Sequence, residues 1–345
     1  MKFGDFASFK YGKMPNKKLI TNTGKYPIFS GYRYVGYYDE YNTEANQLII
    51  VARGVGGTGD VKLTTEKCFL TNLSINVTLN SETCLPQYLY YLFSKNNLRY
   101  LDSGSAQSQI TISDLEKVEI EVPSLERQKN IVSILSSIDD KIKENNAINN
   151  NLEQQAFALF DSYFPSVNDG PMTIGDYIIP KRGKNLLSKD AIYGNVPVVA
   201  GGLEPATYHN ASNTTSPVLT ISASGANSGF VRLWNMPVWS SDSSFIDSTM
   251  TDDVYFWYVM LKKRQKEVYD SQTGSAQPHI YPQHIAVMPV KNLEENSIKH
   301  FTEQVTPLFQ MIGANNEESL SLSQLRDALL PKLMSGELDV SDIKI

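Results

Sequence analysis

Gly104-Ser-Ala-Gln107 returns unchanged as Gly274-Ser-Ala-Gln277, and three further blocks return at nearly the same interval. Phe3-Gly-Asp-Phe6 reappears as Ile174-Gly-Asp-Tyr177, and Tyr26-Pro-Ile-Phe-Ser-Gly31 as Val196-Pro-Val-Val-Ala-Gly201. Val51-Ala-Arg-Gly-Val-Gly-Gly-Thr-Gly59 lines up with Ile221-Ser-Ala-Ser-Gly-Ala-Asn-Ser-Gly229, which sets Arg53 opposite Ala223. A period of about 170 residues in a chain of 345 is too long for a solenoid and marks a duplicated domain. Glycines, prolines and apolar strand positions recur, whereas polar and charged ones mostly differ; Arg33-Tyr-Val35 faces Leu203-Glu-Pro205. One scaffold with two surfaces suggests two binding sites for different targets.

The first part of each copy, 1–124 and 165–291, reads as short β-strands parted by Gly, Asn and Ser turns. Gln47 to Ala52 and Ser216 to Ile221 are strand candidates that run into glycine-rich loops, and Leu85 to Leu92 has helical spacing. The second part, 125–164 and 292–345, reads as a long helix. Its seam runs through Ile131, Leu135, Ile138, Ile142, Asn145, Asn149, Leu152, Ala156, Leu159 and Tyr163, in alternating steps of four and three. It returns as Phe301, Val305, Leu308, Ile312, Asn315, Ser319, Leu322, Leu329 and Leu333. Such steps mark a coiled coil, and an Asn within the seam fixes register or partner. The expected fold is α+β, with two β-rich domains separated by two long antiparallel coiled-coil helices and a pseudo-two-fold internal duplication. Asn145 and Asn149 should meet Asn315 and Ser319 near mid-length. A helix of about 40 residues is a rod of about 60 Å, longer than the ~34 Å turn of duplex DNA.

With 41% hydrophobic and 20% charged residues, the composition is that of a soluble globular protein. There is no apolar run of transmembrane length, and Met1-Lys-Phe-Gly-Asp5 is not a signal peptide, so a cytoplasmic location is expected. Cys68 and Cys84 are too few for a disulfide framework or a zinc site and read as reduced core residues. The net charge of −6 argues at first against nucleic acid, but residues 1–113 carry 12 cations against 8 acids, and the acidic excess sits mainly in the helical segments.

The ordered set Tyr26-Pro-Ile-Phe-Ser-Gly31, Ala52-Arg-Gly-Val-Gly-Gly-Thr-Gly59, Gly104-Ser-Ala-Gln107 and Val122-Pro-Ser-Leu-Glu-Arg-Gln128 resembles the specificity subunits of type I restriction-modification enzymes. The resemblance covers nearly the whole chain. It implies the order target-recognition domain, helix, target-recognition domain, helix, and a non-catalytic subunit that binds two methyltransferase subunits and, through them, restriction subunits. The two domains would read the halves of an interrupted, asymmetric double-stranded DNA target. AdoMet, ATP and Mg would reside on the partner subunits, with no cofactor and no metal on this chain. The second copy departs from the pattern: Val290-Lys-Asn-Leu-Glu-Glu295 stands where the first has Pro-Ser-Leu-Glu-Arg-Gln.

Arg53, beside Gly54, Gly56, Gly57, Thr58 and Gly59, is the leading candidate for DNA contact. Arginine pairs bidentately with guanine, and glycine backbone admits a phosphate closely. A plain hairpin turn is the alternative, and the loop lacks the Gly-Lys-Ser/Thr ending of a nucleotide-binding loop. Arg33 between Tyr32 and Tyr34 interleaves cation and aromatic, as nucleic-acid surfaces do and as strand cores also do. Lys10, Lys13, Lys17 and Lys18 suit phosphates or form a solvated face. In the second copy the candidates are Lys181, Arg182, Lys184, Ser224, Asn227 and Ser228, with Asn227 able to read adenine. Gln107 and Gln277, repeated in both copies, point to a shared structural or phosphate role. Lys262 to Lys266 read as a solvated helix face.

No Asn/Asp-Pro-Pro-aromatic motif for adenine methylation and no Walker loop is present, and His209, His279, His284 and His300 have no metal-ligand spacing. Asp139, Asp140 and Lys141 read as solvated charge on a helix. No catalytic residue is nominated. Two other readings stay open: a specificity module of a methylation-only or other defence complex, and a duplicated adhesin-like protein.

Overall fold

The computed structural model describes residues 1–54, 57–95, 97–102, 108–274 and 277–340; the candidates Gly56 and Gln107 lie outside them. The chain divides into two compact units, Met1–Asp140 with Leu322–Ile345, and Lys141–Ser321. Each unit therefore combines a β-rich part with one portion of each long helix.

In the first unit the strands are β1 (Ala7–Tyr11), β2 (Tyr26–Ser30), β3 (Arg33–Tyr38), β4 (Leu48–Val51), β5 (Val61–Leu63), β6 (Phe69–Leu70) and β7 (Ser74–Leu79). They form an antiparallel sheet in the order β1-β7-β4-β5 and a smaller sheet β3-β2-β6 whose β2–β6 pair is parallel. Period-two burial explains the layering. Ile75 and Val77 of β7 join Leu48 and Ile50 of β4 in the main core, while Ile49 turns the other way to meet Cys68 and Leu70. Helices α1 (Pro86–Lys95) and α2 (Ile112–Leu115) close this core, and Ile131 and Leu135 from α3 (Leu125–Tyr163) enter it.

The second unit holds β8 (Met172–Thr173), β9 (Lys181–Arg182), β10 (Val196–Val199), β11 (Thr207–His209), β12 (Val218–Ser222), β13 (Val231–Trp234), β14 (Trp239–Ser240), β15 (Ser243–Asp247) and β16 (Pro289–Val290). Its main sheet runs β13-β12-β15-β9 and its smaller one β11-β10-β14, again with a parallel pair, β10–β14. Helix α4 (Val254–Lys263) is buried almost end to end, followed by α5 (Gln265–Asp270), α6 (Pro282–Ala286) and α7 (Glu295–Ser335).

Helices α3, 39 residues, and α7, 41 residues, pack together. In the second unit their partners run in opposite directions along the two helices. Lys141 lies 3.9 Å from Glu318, and Asn145 Nδ2 donates to the Ser319 hydroxyl at 3.2 Å and to Glu318 at 2.8 Å. Asn149 and Asn315 also bond, at 2.8 Å, so the polar seam residues meet as their spacing predicts. Asn145 is buried. The reading of Lys262 to Lys266 as a solvated face fails in part. Lys262 donates to the Val231 carbonyl at 3.1 Å over the Phe230 ring, and burial lowers its pKa. Arg264 is buried, bonded to Glu267 at 2.7 Å and to the Pro289 carbonyl at 2.9 Å. The α4–α5 junction packs onto the unit, so two of these cations face inward.

Candidate nucleic-acid interface

In the first unit the glycine loop leaves β4 at Val51 and closes where the Gly59 amide returns to the Val51 carbonyl at 2.9 Å. Gly59 has φ +91°, and a Cβ there would stand 2.4 Å from the Arg99 backbone nitrogen, so only glycine fits. Gly54, at φ +137°, has open space where a Cβ would project, which leaves its backbone approachable. Thr58 is buried and its hydroxyl donates to the Gly54 carbonyl at 3.0 Å; it braces the loop from inside instead of offering a surface group.

A cleft of about 290 Å³ brings together Arg53, Gly54 and Gly57 of this loop with Gly31 and Arg33 of the β2–β3 hairpin. Gly31 and Tyr32, both at positive φ, form that hairpin's turn and set Arg33 on the cleft rim. The Arg53 guanidinium lies 5.8 Å from the Tyr11 ring centroid, and its Nε is buried without a partner among the described residues. Tyr32 turns inward: its ring stacks on Phe29 at 4.8 Å, its hydroxyl donates to the Leu63 carbonyl at 2.6 Å, and burial pushes its pKa up to about 12. Tyr34 is exposed, edge-on to Tyr37.

A second cleft of about 240 Å³ is lined by Lys10, Tyr11, Lys13, Tyr41 and Asn76. Lys17 and Lys18 stand exposed on a short 3₁₀ turn, Lys17–Leu19, outside that lining. Asn76 was not singled out by its sequence. It sits on β7 opposite Lys10, with its Oδ1 buried and unpartnered among the described residues. The alternation in Ser74-Ile-Asn-Val-Thr-Leu79 was the signal that could have found it, since it turns Asn76 away from Ile75 and Val77.

In the second unit the corresponding backbone bonds correct the gap-free alignment. The Ala52 amide donates to the Leu73 carbonyl at 2.9 Å, and the Ala223 amide to the Asp242 carbonyl at 3.0 Å. Ile110 donates to the Ala52 carbonyl and Ile280 to the Ala223 carbonyl, while Arg53 bridges Gln109 and Ser224 bridges His279. Arg53 thus stands where Ser224 does, not opposite Ala223. The second loop is one residue shorter between Gly54 or Gly225 and Gly59 or Gly229, which hides the slip.

Of the second-unit candidates, Lys181, Arg182, Lys184 and Gln277 are exposed, and Ser224 and Asn227 are half-buried. Ser228 is buried beneath its loop, its carbonyl taken by Gln272, so its side chain faces the protein. Arg182 bonds Asp242 at 2.6 Å, and the Ser224 hydroxyl donates to the same carboxylate. The Gln277 carbonyl meets His279 Nδ1 at 2.8 Å.

Among the described residues no group of three His, Cys, Asp or Glu side chains could hold a metal ion, and no helix is long and apolar enough to cross a membrane. Cations set beside aromatic faces and open glycine backbone, on β-rich units, are features that nucleic-acid-binding surfaces use. Residues 1–154 match the family described as type I restriction modification DNA specificity domain. By that match over the first part and by its relatives over nearly the whole length, the chain is similar to type I restriction-modification specificity subunits. It is 27% identical to a putative type I specificity subunit of Mycoplasma genitalium, over 94% of this chain and 90% of that one. It is 26% identical to the MjaIX type I specificity subunit of Methanocaldococcus jannaschii, over 79% and 74%. The crystal structure of a type I restriction-modification S subunit from M. genitalium shares its fold, with a TM-score of 0.64, 24% identity and coverage of 96% and 95%.

Proposed function

We propose that this chain is the non-catalytic reader of a two-part, asymmetric DNA target, one part per β-rich domain, and that it recruits methyltransferase subunits and, through them, restriction subunits. In this reading 1–124 and 165–291 are duplicated recognition domains, and 125–164 and 292–345 form a coiled coil that sets the spacing of the half-sites. AdoMet, ATP and Mg chemistry belongs to the partners, and the assembly acts in the cytoplasm against incoming phage DNA. Arg53, Arg33, Gly54, Gly57, Lys10 and Lys13 are the first domain's contacts. Lys181, Arg182, Lys184 and Asn227 are the second's.

The observation that carries the reading is the glycine loop. One backbone hydrogen-bond frame holds Arg53 in one unit and Ser224 in the other, as expected of one scaffold reading two sequences. Long-read mapping of methylated adenines in the host genome tests it. An interrupted motif is expected; a continuous one overturns it.

A further inference from the structure

The cation at the loop changes strands between the two units. In the first, the ladder runs Tyr11–Ile75–Ile50 across β1, β7 and β4; in the second it runs Arg182–Ser244–Ile221 across β9, β15 and β12. Tyr11 and Arg182 therefore hold the same ladder position, as do Arg53 and Ser224, and Leu73 and Asp242 share the role of accepting the alanine amide. Where the first unit sets an arginine from the loop over an aromatic ring from the edge strand, the second sets an arginine from the edge strand beside a serine from the loop. The carboxylate of Asp242 links them. Nη2 of Arg182 donates to Asp242 Oδ1 at 2.6 Å, and Ser224 donates to Asp242 Oδ2. A gap-free alignment conceals this exchange, because it places Arg53 against an alanine.

We infer that Arg182, aimed by Asp242 and Ser224, is the base-reading cation of the second domain and that the base it reads is guanine. This rests on the function proposed above. A carboxylate bonded to the guanidinium repels a phosphate at the same seat, which favours an uncharged acceptor edge. Only Nη2 is bonded to Asp242, so among the described residues the Nη1/Nη2 end of the fork keeps free donors, the geometry that matches guanine O6 and N7. Gly201 keeps the approach clear. A Cβ there would lie 2.3 Å from the Ser224 carbonyl oxygen and 3.6 Å from the Asp242 carboxylate. Asp242 and Ser224 are positioning residues.

The test is selection of duplexes from a randomised pool by the full-length chain assembled with its methyltransferase subunits. Wild type should require guanine at one position of one half-site. Arg182→Ala and Arg182→Lys should each lower that preference by about five- to 150-fold, the worth of a bidentate pair, and leave every other position unchanged. Asp242→Asn should weaken the same preference while raising affinity for unrelated duplexes, which loss of a mere brace would not do. If Arg182→Lys keeps both the guanine preference and the melting temperature of wild type, the ion pair is only a brace and the inference is overturned. Should Arg182→Ala fail to fold, the lysine variant decides. A wild-type protein that selects no two-part sequence overturns the proposed function instead, and this inference with it.

Discussion

The guanidinium of Arg53 rests 5.8 Å above the ring of Tyr11, and its Nε is buried with no acceptor among the described residues. The ring steadies the side chain without cancelling its charge, so the donor fork remains available to a base edge. Arg53→Ala should lower discrimination at one base pair by about 1–3 kcal/mol. The melting temperature should fall by no more than the worth of this half-buried cation–π contact, about 0.5–2 kcal/mol. Binding to a panel of duplexes altered one pair at a time checks this. Equal losses in both half-sites would argue against separate readers.

Lys10 and Lys13 line the neighbouring cleft with exposed ammonium groups, a short step along β1 from Tyr11. Point charges of this kind suit phosphates, which carry affinity but no sequence information. Lys10→Ala and Lys13→Ala should each weaken binding to all duplexes alike and reduce the slope of log K against log salt by about 0.9. A change in sequence preference would move these lysines from backbone contact to base reading.

The mixture of helix and sheet and the two long packed helices were legible because their signals are local. Recurring glycines and prolines mark the turns, and steps of three and four mark the seam in which Asn145 does meet Ser319. The register of the loop was not legible. Gly-Val-Gly-Gly and Gly-Ala-Asn differ by one residue, and several small residues align equally well on either side of the gap. Hydrogen bonds to residues distant in sequence, such as those the alanine amides donate to the Leu73 and Asp242 carbonyls, settle the match. Phe160 was likewise absent from the seam, since it is covered from a second side by Phe256 of α4 as well as by Phe301. Tyr32 and Ser228 looked like surface groups because composition does not say which way a turn faces.

Asp139 shows the same limit, for its spacing suggested solvated charge. In the structure it accepts from the Tyr91 hydroxyl at 2.7 Å and from Arg326 at 2.8 Å, tying α1, α3 and α7 within the first unit. Burial, and then the bond to Asp139, raise the Tyr91 pKa. Arg326→Ala and Asp139→Ala should each cost about 1–2 kcal/mol, between the worth of an exposed ion pair and that of a buried hydrogen bond to a charged group. The double variant should cost less than the sum, because both remove one network. Thermal unfolding of the four proteins measures the coupling; strict additivity would show that the groups do not act together.

Cys68 and Cys84 are fully buried, and burial pushes both thiols from 9.0 up to about 12. The thiolate is the reactive form, so native protein at pH 8 should resist a thiol reagent, while unfolded protein should label at both positions. The same shift makes stability depend on pH. Between pH 9 and 12 the folded thiols keep protons that the unfolded chain has lost, so the folded state binds more protons and stability must fall as pH rises through this window. Tyr32 and Tyr88, both raised to about 12 from 10.0, act in the same direction over the upper part of the range. The urea midpoint should therefore hold steady up to about pH 9 and decline above it. In the Cys68→Ala, Cys84→Ala variant the midpoint should start lower, because the buried sulfurs are gone, yet decline less steeply over the first unit of that window. Rapid native labelling, or an alkaline decline unchanged in the variant, would show that the thiols reach solvent in the folded chain.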